Sequence, residues 1–313
     1  MKKQTGIRKK CLNIGGQAVI EGVMIRSDNV YSVCVRKENG KISVKKDFIP
    51  MPKKIFTLPF IRGIYKLSEM LKIAIDALTW SGNEAYNEKE ELSKKDIAVI
   101  IASSVFISII FFALLPYVIT SIGISEIKNP LLFNLIDGII KIVILIAYIL
   151  IISRMEDIKR IFQYHGAEHK AVNCYENGQK LTLANIKKYS TIHTRCGTNF
   201  LMLTFIISVF AFSLIPLAMT GNPEFSKQSL ILQKILLFII RLVLIPVIAG
   251  ISYEFLKISS KYIHIPIFKA ISFPGLLLQR LTTSEPSDSQ IEVAKSAVNA
   301  VLKTNQNKYS VRI

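Results

Sequence analysis

Histidine is scarce in this chain, four in 313 residues, and two of the four stand in Tyr164-His165-Gly166-Ala167-Glu168-His169. On a helix, residues i and i+4 lie about one turn apart on the same face, so His165 and His169 aim their imidazoles at a common point. Two such rings converge on one divalent ion, and Glu168 beside them is a candidate base. Further along, His193-Thr194-Arg195-Cys196 brings two more soft donors up to the edge of an apolar stretch. Zinc is the default ion for imidazole plus thiolate, with iron and manganese as alternatives.

The donors allow two arrangements. In the catalytic one, His165, His169 and a third ligand, His193 or Cys196, leave the fourth position to water, and Glu168 takes that water's proton. Glu254 is an alternative third ligand. In the structural one, His165, His169, His193 and Cys196 fill all four positions and staple the segment. Gly166 weakens a helix by about 1 kcal/mol relative to alanine, which admits a helix start at the pair rather than a mid-helix position. Nearby, Glu176 is either an outer partner that orients an imidazole or an exposed acid, and Cys174 lies two residues before it. Glu21 reads as a carboxylate in an apolar strand, where Gly15, Gly16 and Gly22 permit close backbone approach. Its two readings are a ligand-facing group and the outward acid of a bulged edge strand.

These side chains must be positioned around apolar spans. Half of the residues are hydrophobic, the formal net charge is +18, and the mean hydropathy is +0.39. That combination describes a polytopic membrane protein with basic loops. Lys and Arg are spread over every polar segment without aromatic interleaving, so nucleic acid is an unlikely partner and the lipid bilayer the expected one. Four stretches exceed the ~20 apolar residues a crossing needs: 97–120, 131–153, 200–220 and 230–252. The connections between the first two and the last two hold one lysine each, Lys128 and Lys227, while all other polar segments are rich in Lys and Arg. The positive-inside rule then places both termini and the histidine segment in the cytoplasm. The basic N-terminus, with no apolar run behind it, is not expected to be a cleaved leader, and Cys11, Cys34, Cys174 and Cys196 are expected as reduced thiols.

The chain divides into a β region (1–54), an amphipathic interfacial helix with linker (55–95), a transmembrane hairpin (96–153), the His/Cys segment (154–199), a second hairpin (200–252), and an interfacial segment with a final helix (253–313). Asn39-Gly40 between apolar runs predicts a β-hairpin, and a small antiparallel meander is expected. The helix over 58–80 carries an apolar stripe, which fits either the membrane interface or the meander. Residues 255–281, interrupted by Pro266 and Pro274, are expected at the interface or re-entrant, and a last helix over 288–302. Within the spans, Asp137 and Lys141 stand i, i+4 and Arg241 is a second partner for Asp137, as an ion pair fixing helix packing or as part of an ion route. Transport through four spans would need a homo-oligomer.

Several strings together resemble the YqhQ-like family of bacterial membrane proteins: Gly15-Gly16-Gln17-Ala18-Val19-Ile20-Glu21-Gly22-Val23-Met24-Ile25-Arg26, Tyr164 to Lys170, His193 to Thr198, and Thr282-Thr283-Ser284-Glu285-Pro286. That resemblance implies a multi-pass membrane protein of unassigned function, described as a predicted metal-dependent enzyme. The H-x-x-E-H string is also similar to inverzincin peptidases, whose third ligand is a downstream carboxylate; here Glu254 and Glu224 are the candidates. The expectation is an α-helical membrane protein with about four spans and a small β meander, acting as a metal-dependent hydrolase on an unknown substrate. The alternatives are a scaffold with a structural metal and a transporter.

Overall fold

β-Branched and aromatic runs bounded by turn residues build a four-stranded antiparallel meander. Its strands are β1 (Gly15–Val19), β2 (Gly22–Arg26), β3 (Val30–Arg36) and β4 (Ile42–Phe48), in the order β1-β2-β3-β4. The computed structural model describes residues 12–86 and 93–310. Cys11, the basic N-terminal stretch and the middle of the expected linker lie outside the described residues. The hairpin expected at Asn39-Gly40 is present, with Gly40 at φ +79. The strand expected to run through Glu21 is instead broken: Val19 pairs with Gly22, so Ile20 and Glu21 form a tight turn and Glu21 takes φ +50. A Cβ at Gly22 would stand 2.3 Å from the Cys34 carbonyl oxygen, so only glycine lets β2 approach β3 there.

Both faces of the sheet are covered. On one, α1 (Ile61–Tyr86) packs Ile73, Ala77 and Ala85 against Val19, Met24, Val33 and Val35. On the other, α5 (Glu156–Glu176) and α11 (Asp288–Ser310) pack Ala167, Ala171, Ala294 and Val298 against Val23, Ile25 and Cys34. The period-2 alternation of β3 therefore feeds two cores, and Ser32 is satisfied by donating to the Ala297 carbonyl at 2.8 Å. The helix expected over 58–80 thus packs on the meander. It also meets a membrane-length helix, where Gly63 and Gly250 allow close approach and Arg62 pairs with Glu254 at 2.5 Å.

Four helical stretches among the described residues are long and apolar enough to cross a membrane. The first joins α2 (Lys94–Ile109), a π turn over Ile110–Leu114 and α3 (Leu115–Gly123); the others are α4 (Pro130–Ile152), α7 (Gly197–Thr220) and α9 (Leu230–Lys261). At 1.5 Å per residue, each exceeds the ~30 Å hydrocarbon thickness. The π turn has a covalent cause. Pro116 has no N–H for the Phe112 carbonyl, and the Leu115 N–H bonds Ile110 instead. The segment between α5 and α7 holds the short α6 (Leu183–Lys187), and the second connection the short α8 (Pro223–Ser226). Helix α9 runs on past the expected end at residue 252 to Lys261. The segment expected to be interfacial or re-entrant becomes that last part of α9 and α10 (Pro266–Thr282), which packs on α7. The final helix continues beyond the expected residue 302 and lies on the sheet.

Candidate functional site

Helix α5 begins with Glu156 and Asp157, acids suited to a helix N-terminus, and extends without a break through Gly166. The histidine pair is therefore mid-helix rather than at a helix start. Gly166 serves packing: a Cβ there would stand 2.1 Å from the Ser284 carbonyl oxygen, and the Ser284 N–H donates to the Phe162 carbonyl at 2.9 Å. The extended segment Thr283-Ser284, just past the end of α10, thus lies directly on α5. At the other end, the Glu21 carboxylate in the β1–β2 turn accepts from both Arg160 and Tyr164 of α5. Glu21 fixes the helix to the sheet and is not a strand residue facing a ligand.

The two rings are oriented by backbone carbonyls. His165 Nδ1 lies 2.9 Å from the Thr282 oxygen and His169 Nδ1 lies 2.5 Å from the Thr191 oxygen. A carbonyl only accepts, so both rings carry their proton on Nδ1 and keep a lone pair on Nε2. The rings sit 4.4 Å apart between centroids, and His165 Nε2 is 3.3 Å from Cys196 Sγ. One donor atom from each of His165, His169 and Cys196 falls within 4.8 Å of the others. Cys196 is the residue before α7, where an N-terminal dipole favours a thiolate, and Thr198 Oγ1 donates to its sulfur at 3.3 Å. Burial nonetheless pushes its thiol up from the usual range.

Glu168 is the neighbour of this trio. It is 3% exposed, its Oε2 is 3.5 Å from His169 Nε2, and the Gly16 backbone hydrogen-bonds its carboxylate. A Cβ at Gly16 would meet Met24 oxygen at 2.2 Å and Glu168 Cγ at 3.1 Å, so the glycine of β1 permits this contact. Burial raises the Glu168 carboxyl above its ordinary value, against the opposing pull of His165, His193 and Arg195. Burial holds His169 well below the usual imidazole range.

His193 stands outside the trio. Its Nε2 faces Glu176 Oε2 at 3.2 Å, and its backbone is clamped by Gln279, which accepts from the His193 N–H and donates to its carbonyl, both at 2.9 Å. Glu176 is therefore a partner orienting an imidazole and pairing with Arg195, not an isolated exposed acid. Cys174 is buried in the α5–α11 core, its thiol near the Lys180 carbonyl. Glu254 is held by Arg62 at the α1–α9 contact, away from the trio. Glu224 pairs with exposed Lys227 at the opposite end of α7 from Cys196. The downstream carboxylate of the inverzincin pattern is thus replaced by a thiol. Sequence reasoning missed Gln279 and the carbonyls of Thr191 and Thr282. Backbone carbonyls leave no mark in a sequence, although the Gly15-Gly16 pair was a signal of close approach.

The four membrane-length helices, the β meander and the largely buried His-His-Cys group describe an α-helical membrane protein with a small antiparallel sheet. The chain matches the family described as "Protein of unknown function (DUF1385)" over residues 58–304 and belongs to it. It is 34% identical to the uncharacterised protein YqhQ of Bacillus subtilis (strain 168), over 92% of this chain and 92% of that one. No solved structure matches the chain.

Proposed function

We propose that this chain is a metal-dependent membrane enzyme, a hydrolase working at the cytoplasmic surface, with His165, His169 and Cys196 holding a zinc-like divalent ion and Glu168 handling a proton. The observation that carries the reading is three soft donor atoms within 4.8 Å of one another beside a buried carboxylate. The donor set fits: two imidazoles fixed with Nε2 lone pairs and one sulfur suit zinc, and three protein ligands match catalytic rather than closed sites. When bound, such an ion supplies Lewis acidity toward a water or a carbonyl or phosphoryl oxygen.

The chain's own groups do the rest. Thr191 and Thr282 hold the rings, and Glu176 and Gln279 fix His193 and the turn before Cys196. The Glu168 carboxyl, raised by burial, moves toward the range in which a carboxylate exchanges protons near neutral pH. Arg195 places a positive charge near it. His165 is the less buried of the two imidazoles, so substrate would approach from its side. The excess of Lys and Arg on the polar segments supports a cytoplasmic location for the site and both termini.

A second reading is favoured by burial: His169 and Cys196 are 2% and 8% exposed, as in a staple joining α5 to the α7 start. The discriminating experiment is an assay of zinc-loaded protein in lipid nanodiscs against chromogenic phosphate-ester, carboxylic-ester and peptide substrates. Turnover that falls at least about 100-fold in Glu168→Gln, with metal content unchanged, supports the enzyme. Retained metal without turnover on any class supports the staple.

A further inference from the structure

The strap between the sheet and α1, residues 51–61, carries an apolar surface left open among the described residues. Met51, Ile55, Phe56, Leu58, Phe60 and Ile61 are each 37–67% exposed. Helix α1 beyond the strap differs, because its stripe of Ile73, Ala77 and Ala85 is already packed on the meander. Single apolar side chains at a surface are ordinary, whereas a run this dense marks a surface that meets something else.

Where the strap lies says what it meets. Gly250 of α9 faces it: a Cβ there would stand 3.0 Å from the Phe60 carbonyl oxygen and 3.2 Å from Ile64 Cγ1. Helix α9 starts at Leu230, and at ~1.5 Å per residue the ~30 Å of hydrocarbon ends at about Gly250. The next charged side chains along α9 are Glu254 and Lys257, and Glu254 pairs with Arg62, the first charged residue after the strap. The strap therefore crosses α9 at the boundary between hydrocarbon and headgroups, with its polar neighbours on the headgroup side. That continuity with a membrane-length helix makes the bilayer the occupant of the open surface.

The residue types fit that depth. Phe56 stacks on Tyr65 with ring centroids 4.8 Å apart, and aromatic rings gather at membrane interfaces. Lys53 and Lys54 are exposed and in no ion pair among the described residues, so their ammonium groups are available to lipid phosphates. Phe60 holds φ +65, a backbone conformation costly for a bulky residue, and still stands exposed. Water offers nothing that offsets this strain, whereas acyl chains take up the ring. We infer that residues 51–61 form an interfacial anchor, which inserts Phe60 and its apolar neighbours at the acyl boundary and sets Lys53 and Lys54 on the phosphates of anionic phospholipid. Because the strap joins β4 to α1, it ties the sheet that packs on α5 to the bilayer at that level. The inference rests on the four spans crossing a membrane and is independent of metal at the histidine site.

The test is photolabelling of the full-length wild-type chain in phosphatidylcholine nanodiscs doped with a phospholipid that carries a diazirine near the ester end of one acyl chain. Adducts are mapped by mass spectrometry. The phosphatidylglycerol form of the probe should label residues 55–61 as well as the membrane-length helices, and label 55–61 at least about 2-fold more than the phosphatidylcholine form does. Lys53→Gln combined with Lys54→Gln should remove that preference and leave the labelling of α7 and α9 unchanged. Labelled spans with an unlabelled strap would overturn the inference while the membrane reading stands, with water, a second copy or a protein partner over the strap. No label on strap or spans would overturn both. Equal strap labelling by the two forms, or a preference that survives the lysine substitutions, would overturn the assignment of anionic lipid and the inference with it.

Discussion

Glu168 decides what the histidine pair can do. A carboxylate kept from solvent, beside two imidazoles with free Nε2 atoms, destabilises the folded chain whenever it is ionised. Its raised value means that the folded state keeps the proton to higher pH than the unfolded state does. The associated stability is fully present below the unfolded value of about 4.3 and is lost as pH rises through the folded value, at up to about 1.4 kcal/mol per pH unit. In chelator-treated protein, Glu168→Gln should therefore melt higher than wild type at pH 8 and about equally at pH 4. Thermal unfolding across that range checks it, and a gain that grows toward low pH would contradict the assignment. Cys34 shows a second effect of burial, its thiol pushed up to about 12. It should resist thiolate-selective alkylation in the folded chain and react only on unfolding, as mass spectrometry of labelled peptides would show.

At the scale of elements, α5 is held in place by three close approaches that depend on small residues or backbone. Gly166→Ala puts a methyl group into the Ser284 carbonyl and should destabilise by about 2 kcal/mol or more through overpacking, although alanine is the better helix former. Comparing its melting temperature with that of exposed Gly178→Ala separates packing from backbone effects; Gly178 has open space but φ +70, so its cost is conformational. The meander, the Asn39-Gly40 hairpin and the four apolar spans were legible because each rests on local periodicity. The turn at Ile20-Glu21 was not, since the apolar string around it reads as a continuous strand. For Glu176 the imidazole-orienting role stood in the sequence beside the exposed-acid reading, and the fold supplies its partner, His193 from a separate loop. The meeting of His165, His169 and Cys196 was foreshadowed by residue type. The exclusion of His193 from that trio depends on Gln279 in α10, which no spacing rule connects to it.

Among the described residues, two of the clusters of buried charge stand in different parts of the fold. One is the histidine site under the sheet. The other joins two of the four spans, α4 and α9, through Arg241, Asp137 and Lys141, with Glu126 reaching in from the short connection between the first two spans. Arg241 also stacks its guanidinium about 5 Å from the rings of Tyr117 (5.0 Å), Phe133 (5.2 Å) and Phe212 (5.2 Å). Glu126→Gln removes one carboxylate and leaves a buried guanidinium undercompensated, which should cost about 3–5 kcal/mol in unfolding of the detergent-solubilised chain. A loss below 1 kcal/mol would show that the cluster is hydrated and tolerant of imbalance.

The chemistry proposed for His165, His169 and Cys196 requires that they hold an ion. Elemental analysis of the purified chain, wild type beside His165→Ala, His169→Ala, Cys196→Ser and His193→Ala, measures this directly. Near one zinc-like ion per chain in wild type is expected, lost in the first three variants and kept in His193→Ala, whose ring is paired with Glu176. No metal in wild type after reloading, or equal metal in all five proteins, would contradict it.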